Sequence, residues 1–181
     1  MPSPGDYSAE IAAAVGKWAP KYGVTVPAGL VEAIIQVESG GDASATHDEG
    51  NGHTSYGLMQ VLDDTATWLG LSGSPAQLLV PAVGIDYGVH YLCYQLQRYY
   101  GNVSDAVAAY NAGTAFLSEA GSSTYVNQSY VDRVLGWVST FAQQVEAAWT
   151  AMPPVQKGLS VVGVALIAFF VVWWLSDRKG R

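Results

Sequence analysis

The sequence predicts a mainly α protein: one helical domain followed by a single C-terminal transmembrane helix. Three observations predict it. Apolar residues recur at helical spacing in most segments, and Gly and Pro punctuate those segments. No alternating strand pattern of any length appears, although residues 42–60 leave room for a small β-hairpin. Leu159 to Leu175 is a run without a charge whose only polar side chain is Ser160.

Taken in order, Tyr7 to Ala19 reads as an amphipathic helix stopped by Pro20 and Gly23. Pro27 suits the first turn of the next helix, where its missing N–H costs nothing. That helix carries Leu30, Val31, Ala33, Ile34, Ile35 and Val37, reaches about Glu38, and ends at Gly40-Gly41. Residues 42–55 are polar, Gly-rich and aperiodic, a long loop of the kind that is usually functional or disordered. Asp63-Asp64-Thr65 offers a cap for a short helix through Leu69. Pro81 opens a longer helix to Tyr100, closed by Gly101, and Val103 to Tyr110 is another. Gly121 to Gln128 is loop-like, and Ser129 to Ala151 is helical.

Met152-Pro153-Pro154 then breaks the chain. The apolar run beyond it would span about 25 Å, slightly short of a roughly 30 Å hydrocarbon core. A core helix would show a polar face, and this run shows none. Trp173-Trp174 would sit at the interface, with Asp177-Arg178-Lys179-Gly180-Arg181 beyond it. The expected organisation is an N-terminal helical extension (1–26), a catalytic-type domain (27–151), a linker (152–158), a membrane span (159–176) and a basic tail (177–181).

Of the 181 residues, 50% are hydrophobic, enough to bury a real core. Residues 1–157 carry 5 basic and 14 acidic side chains, net −9, and residues 177–181 carry net +2, which together give the chain's −7. An acidic body argues against nucleic-acid binding, which needs a positive face for phosphates. Cys93 is the one cysteine, so no intrachain disulfide can form, and its apolar surroundings predict a buried structural thiol. His47, His53 and His90 lack metal-ligand spacing, so neither a metal nor a cofactor is expected.

Glu38 is the residue that stands out. It closes an apolar helix, in Val37-Glu38-Ser39-Gly40-Gly41. Desolvation raises a Glu pKa, so a carboxyl there can hold its proton near neutrality and act as a general acid, the chemistry of glycosidic cleavage. Alone, Glu38 is equally a solvated helix-end carboxylate. Three further blocks follow it: Tyr56-Gly57-Leu58-Met59-Gln60, Ala109-Tyr110-Asn111-Ala112-Gly113, and Tyr130-Val131-Asp132-Arg133-Val134. Each is weak alone; four in this order, with Gly84-Ile85, Gly88 and Tyr91-Leu92 between the second and third, are specific.

The four blocks resemble those of soluble lytic transglycosylases and goose-type lysozymes, over roughly Pro27 to Val138. The resemblance implies a lysozyme-like fold and peptidoglycan glycan strands as substrate. It implies that Glu38 protonates the oxygen between N-acetylmuramic acid and N-acetylglucosamine. As base, Glu38 would then help the muramic 6-hydroxyl close a 1,6-anhydro ring. It further implies that Met59, Gln60, Tyr110 and Asn111 line the glycan groove, that Tyr130 hydrogen-bonds Glu38, and that Ser39 supports the site from its rim. Tyr125-Val126 is a second candidate for the fourth block. There are departures. Gly40-Gly41 stand where the family often has Asn-Pro, and the loop between the first two blocks is longer. His47-Asp48-Glu49-Gly50-Asn51-Gly52 in that loop resembles goose-type lysozymes, which would make Asp48 a water-positioning residue for true hydrolysis. Transglycosylation and hydrolysis therefore both stay open, as does an inactive wall-binding or structural protein that kept the fold.

The N-terminus shows no basic n-region and no apolar h-region, so no secretory signal is expected. The basic tail places the C-terminus inside and residues 1–157 on the periplasmic, wall-facing side of a membrane bound through residues 159–176. Together these lead to an expectation of a bacteriophage virion protein that contacts other virion proteins and opens the wall locally for genome delivery. A host-lysis enzyme and a bacterial membrane-anchored transglycosylase are the alternatives.

Overall fold

The computed structural model describes residues 4–50, 52–119 and 122–151. A 3-10 turn at Pro4–Tyr7 leads into α1 (Ser8–Tyr22) and α2 (Leu30–Glu38). Three strands follow, β1 (Thr46–Gly50), β2 (His53–Tyr56) and β3 (Val61–Leu62), forming one antiparallel sheet in the order β1-β2-β3. Next come α3 (Asp63–Trp68), α4 (Pro81–Arg98), α5 (Val103–Ala112) and α6 (Gln128–Ala151).

α4 is the centre of the core. Ile85, Val89, Leu92, Cys93 and Leu96 are fully buried along it, and α1 and α5 pack against it. Burial lifts the Cys93 thiol to about 11, as befits a structural cysteine. α2 packs along α6, with Leu30, Ala33, Ile34 and Ile35 excluded from solvent. Leu30, Ile34 and Ile35 each contribute about 1.5–3 kcal/mol on burial, so three such side chains in nine residues fix α2 firmly. On α6, Tyr130, Val131, Val134, Leu135 and Val138 form one buried stripe at helical spacing.

Several boundaries differ from the sequence expectations. Pro20 lies within the last turn of α1, and Gly23 ends that helix with φ 65, its N–H returning to the carbonyls of Ala19 and Pro20. Pro27 precedes α2 in a turn whose carbonyl accepts from Leu30 N–H; Gly29, φ 77, approaches Phe141 closely and makes the entry into the helix. The stretch read as a long loop contains β1 and most of β2, so the hairpin is the correct reading of residues 46–56. The helix of the N-terminal extension packs on α4. Trp18 of α1 stacks on His90 of α4 at 3.5 Å and donates Nε1–H to Asp86 at 3.0 Å, while Tyr22 and His90 share a 2.8 Å hydrogen bond. Among the described residues no helix is long and apolar enough to cross a membrane; the span expected at 159–176, with the linker and tail, lies outside them.

Candidate active site

α2 delivers Glu38. Its buried apolar face anchors the helix, and the helix stops at the glutamate because Ser39 leaves helical geometry and Gly40 and Gly41 take φ 62 and φ 89. The Ser39 hydroxyl lies 2.8 Å from the Leu58 carbonyl and 3.2 Å from that of Ile35, and accepts from Gly41 N–H at 3.2 Å. Ser39 thus clamps the end of α2 to the turn behind β2.

The Glu38 Oε1 accepts a 2.6 Å hydrogen bond from the hydroxyl of Tyr130, a buried residue in the first turn of α6. Burial pushes the Glu38 carboxyl up to about 7. The Tyr130 hydrogen bond and the Arg133 charge pull it partly back, and the Glu49 charge adds a small upward push. Tyr130 and Tyr110 are both held well above the ordinary tyrosine value, first by burial and then by the nearby Glu38 charge, so both remain neutral hydroxyl donors.

Glu38 opens into a cleft of about 1010 Å³. One wall is the end of α2 from Val37 to Gly40; a second is the hairpin, through His47, Glu49, His53 and Ser55. The floor and far side come from Gln60, Val61, Leu62, Thr65, Tyr91 and the stretch Tyr110 to Gly113. Gln60 sits at φ 44, and its amide donates to the carbonyls of Ala45 (3.1 Å) and Gly57 (2.8 Å), holding the turn that shapes the cleft. Tyr110 donates to the Met59 carbonyl at 2.9 Å and packs on Tyr91, centroids 5.3 Å apart. Asn111 is exposed in the cleft, its Oδ1 held by the Asn127 amide at 2.9 Å.

Of the residues expected at the site, Glu38, Ser39, Gln60, Tyr110 and Asn111 line the cleft, and Tyr130 reaches it through Glu38. Two expectations are corrected. Met59 does not line the groove: its side chain is fully buried against α4, and only its carbonyl serves the site, as the acceptor for Tyr110. Asp48 is not among the lining residues either. His47 and Glu49 line the cleft, while the Asp48 carboxylate accepts from Gly50 N–H at 2.9 Å across the irregularity where the register of β1 shifts between Asp48 and Gly50. The choice between two tyrosines also resolves, because the Tyr125 hydroxyl donates to Asp105 at 2.6 Å while Tyr130 holds Glu38. Sequence reasoning gave no site role to Glu49, Ser55, Tyr91 or Arg133, and no local pattern in the polar strand 46–50 singled out the first. Among the described residues, His53, Asp63 and Asp64 bring ligand-type atoms within 4.8 Å of one another. His53 Nδ1 lies 3.3 Å from Asp63 Oδ1, within hydrogen-bonding distance, and 3.4 Å from Asp64 Oδ2.

A family model described as the transglycosylase SLT domain matches residues 14–132. The chain belongs to this family. The matched range begins inside α1, in keeping with the packing of that helix on the rest of the SLT domain. IpgF of Shigella flexneri is 35% identical over 92 residues, which are 50% of this chain and 60% of that protein. The soluble lytic murein transglycosylase of Escherichia coli K12 is 35% identical over 97 residues, covering 50% of this chain and 14% of the enzyme. An X-ray structure of the lytic transglycosylase Slt of Pseudomonas aeruginosa, in an inactive Glu-to-Gln mutant, superposes with a TM-score of 0.61 at 25% identity. The superposition covers 80% of this chain and 25% of Slt. The SLT domain described here is thus mainly helical and lysozyme-like with a small sheet, and the chain spans only part of each of these relatives.

Proposed function

We propose that this protein is a peptidoglycan lytic transglycosylase that cleaves the β-1,4 bond between N-acetylmuramic acid and N-acetylglucosamine. One observation carries the reading: a half-buried carboxyl, raised to about 7, is held at 2.6 Å by Tyr130 at the edge of a cleft of about 1010 Å³. A carboxyl in that state keeps its proton at neutral pH and can give it away. Glu38 donates the proton to the bridging oxygen as the bond to the muramic anomeric carbon breaks. The resulting carboxylate takes the proton of the muramic 6-hydroxyl, whose oxygen bonds to that carbon and closes a 1,6-anhydro ring. Glu38 ends ionised-then-reprotonated, ready for another turnover, and no water is consumed.

The family membership supports the reaction class, and the relative Slt is an inactive enzyme as a Glu-to-Gln mutant. The same exchange tests this chain. Glu38→Gln is expected to lower peptidoglycan cleavage by about 10²–10⁴-fold with the fold intact. Mass spectrometry of the wild-type digest is expected to show 1,6-anhydromuramic ends. A digest holding only reducing muramic ends would favour the hydrolytic reading, in which Asp48 positions the water. An inert wild type, or a Glu38→Gln variant as active as wild type, would leave a wall-binding protein instead.

The proposed setting is a membrane, with residues 1–157 on the wall-facing side and residues 159–176 as a single span. The uncharged run from Leu159 to Leu175 and the basic residues after it support this placement. Local opening of the wall during delivery of a phage genome is the role we put to test within that setting. A lytic band from purified virions in a zymogram would support it, and its absence would exclude it.

A further inference from the structure

Trp68, at the end of α3, is 59% exposed, although folding usually buries most of an indole. Ala66 is fully buried and seats α3 on the core. Trp68 lies about 200° round the helix from Ala66, on the side of Thr65, which lines the cleft. The exposed ring has aromatic support behind it. It meets Tyr94 of α4 with centroids 4.8 Å apart and planes at 74°. Tyr94 stacks on Tyr91, one turn back along α4, at 6.4 Å and 15°. Tyr91 lines the cleft and packs on Tyr110. The four rings make one row: it begins at buried Tyr110 in the cleft, passes half-buried Tyr91 and Tyr94, and ends at exposed Trp68. A row that served packing alone would bury its last member. Whichever ring supplies the edge, the steep Trp68–Tyr94 angle leaves at least one face of the indole uncovered by Tyr94.

A flat, exposed ring continuous with a glycan cleft suits one class of ligand. A pyranose presents polarised C–H groups on its faces and hydroxyls at its rim. The C–H groups pack on a π-face, and the indole N–H can donate to a hydroxyl. Tyr94 already restrains the indole, so little side-chain freedom is lost on binding. We propose that Trp68, backed by Tyr94, is a distal subsite that stacks a further sugar of the same glycan strand, beyond those held between Glu38 and Tyr91. Trp68 touches no reacting atom and acts through binding, which makes strand length a determinant of substrate preference. The inference rests on the proposed transglycosylase reading.

The test uses the full chain with peptide-free glycan strands sorted by length, comparing wild type, Trp68→Ala and Trp68→Phe. On long strands Trp68→Ala is expected to raise KM by about 3–10-fold with kcat nearly unchanged. Trp68→Phe keeps a flat ring and is expected to recover most of that loss. The loss should shrink as strands shorten, since a strand too short to reach α3 never meets the indole. Thermal unfolding of both variants should stay close to wild type, because the side chain is exposed, and this separates a lost contact from a lost fold. An unchanged KM on long strands, an equal rise at every strand length, or a loss confined to kcat would overturn the inference while leaving Glu38 in place. An inactive wild type would instead remove the transglycosylase reading, and the subsite with it.

Discussion

Glu38 works against the fold that holds it. Burial raises its carboxyl from an ordinary 4.5 to about 7, so between those values the folded chain keeps a proton that the unfolded chain releases. Its contribution is thus favourable at low pH and is lost as pH rises through 7, on the order of 3 kcal/mol in all. Urea unfolding of wild type should show that decline, and Glu38→Gln should flatten it; Glu32, also raised by burial, leaves a residual slope. The proposed reaction uses the same proton, so kcat/KM is expected to fall above about pH 7 as the acid form disappears. Tyr130→Phe removes a hydrogen bond that favours the ionised form, so the alkaline limb should move to higher pH. The rate should drop roughly tenfold or more as the carboxyl loses its fixed rotamer. Tyr125→Phe breaks a bond to Asp105 instead and should leave the limb where it is.

At the scale of elements, the site depends on how closely α4 approaches the turn behind β2. Gly57 has φ 73, and a Cβ there would run into the Leu78 carbonyl, as would one on Gly84. A Cβ on Gly88 would overlap the Met59 side chain. These absences of side chain let Leu58 and Met59 sink into the core, which puts the Met59 carbonyl under Tyr110 and the Leu58 carbonyl under Ser39. Gly84→Ala meets the Leu78 carbonyl, and Gly88→Ala meets the fully buried Met59 from its sulfur to its Cβ, so each is expected to cost about 1–3 kcal/mol or more. Thermal unfolding of the two variants checks both. The Gly-Leu-Met-Gln block was visible in the sequence. That its methionine serves packing and its backbone serves the site was not, because a four-residue block does not say which way each side chain turns.

At the scale of the molecule, α1 belongs to the domain. It covers one face of α4 through Trp18 and Tyr22, and Lys17 pairs with Asp86 at 2.7 Å. That exposed ion pair adds little, so the buried ring stack on His90 is the stronger tie. A fragment of residues 27–151 is expected to lose cooperative unfolding that residues 4–151 retain, checked by denaturant titration and near-ultraviolet circular dichroism. The helical periodicity of α1 was legible, but not its partner, since a stripe of apolar residues says that a face is buried and not against what. α6 behaves in the converse way. Its buried stripe runs to Val138 with Phe141 packed beside it, and residues 143–147 are exposed, so the helix outlasts the core it helps to form.

By itself the sequence determined the helical class, the order of the helices, the acid at the end of α2 and the four blocks around it. These follow from local rules: apolar spacing sets helices, Gly and Pro set their ends, and a carboxyl on an apolar helix is conspicuous wherever it points. Only the tertiary structure decided which tyrosine reaches Glu38, that Met59 is core, and that Glu49 and not Asp48 faces the cleft. Each of those turns on strand register or on contacts between segments far apart in the chain, such as Glu38 and Tyr130, 92 positions apart. A shift of one residue along a strand exchanges its two faces, and no local pattern in so short and polar a strand fixes that choice.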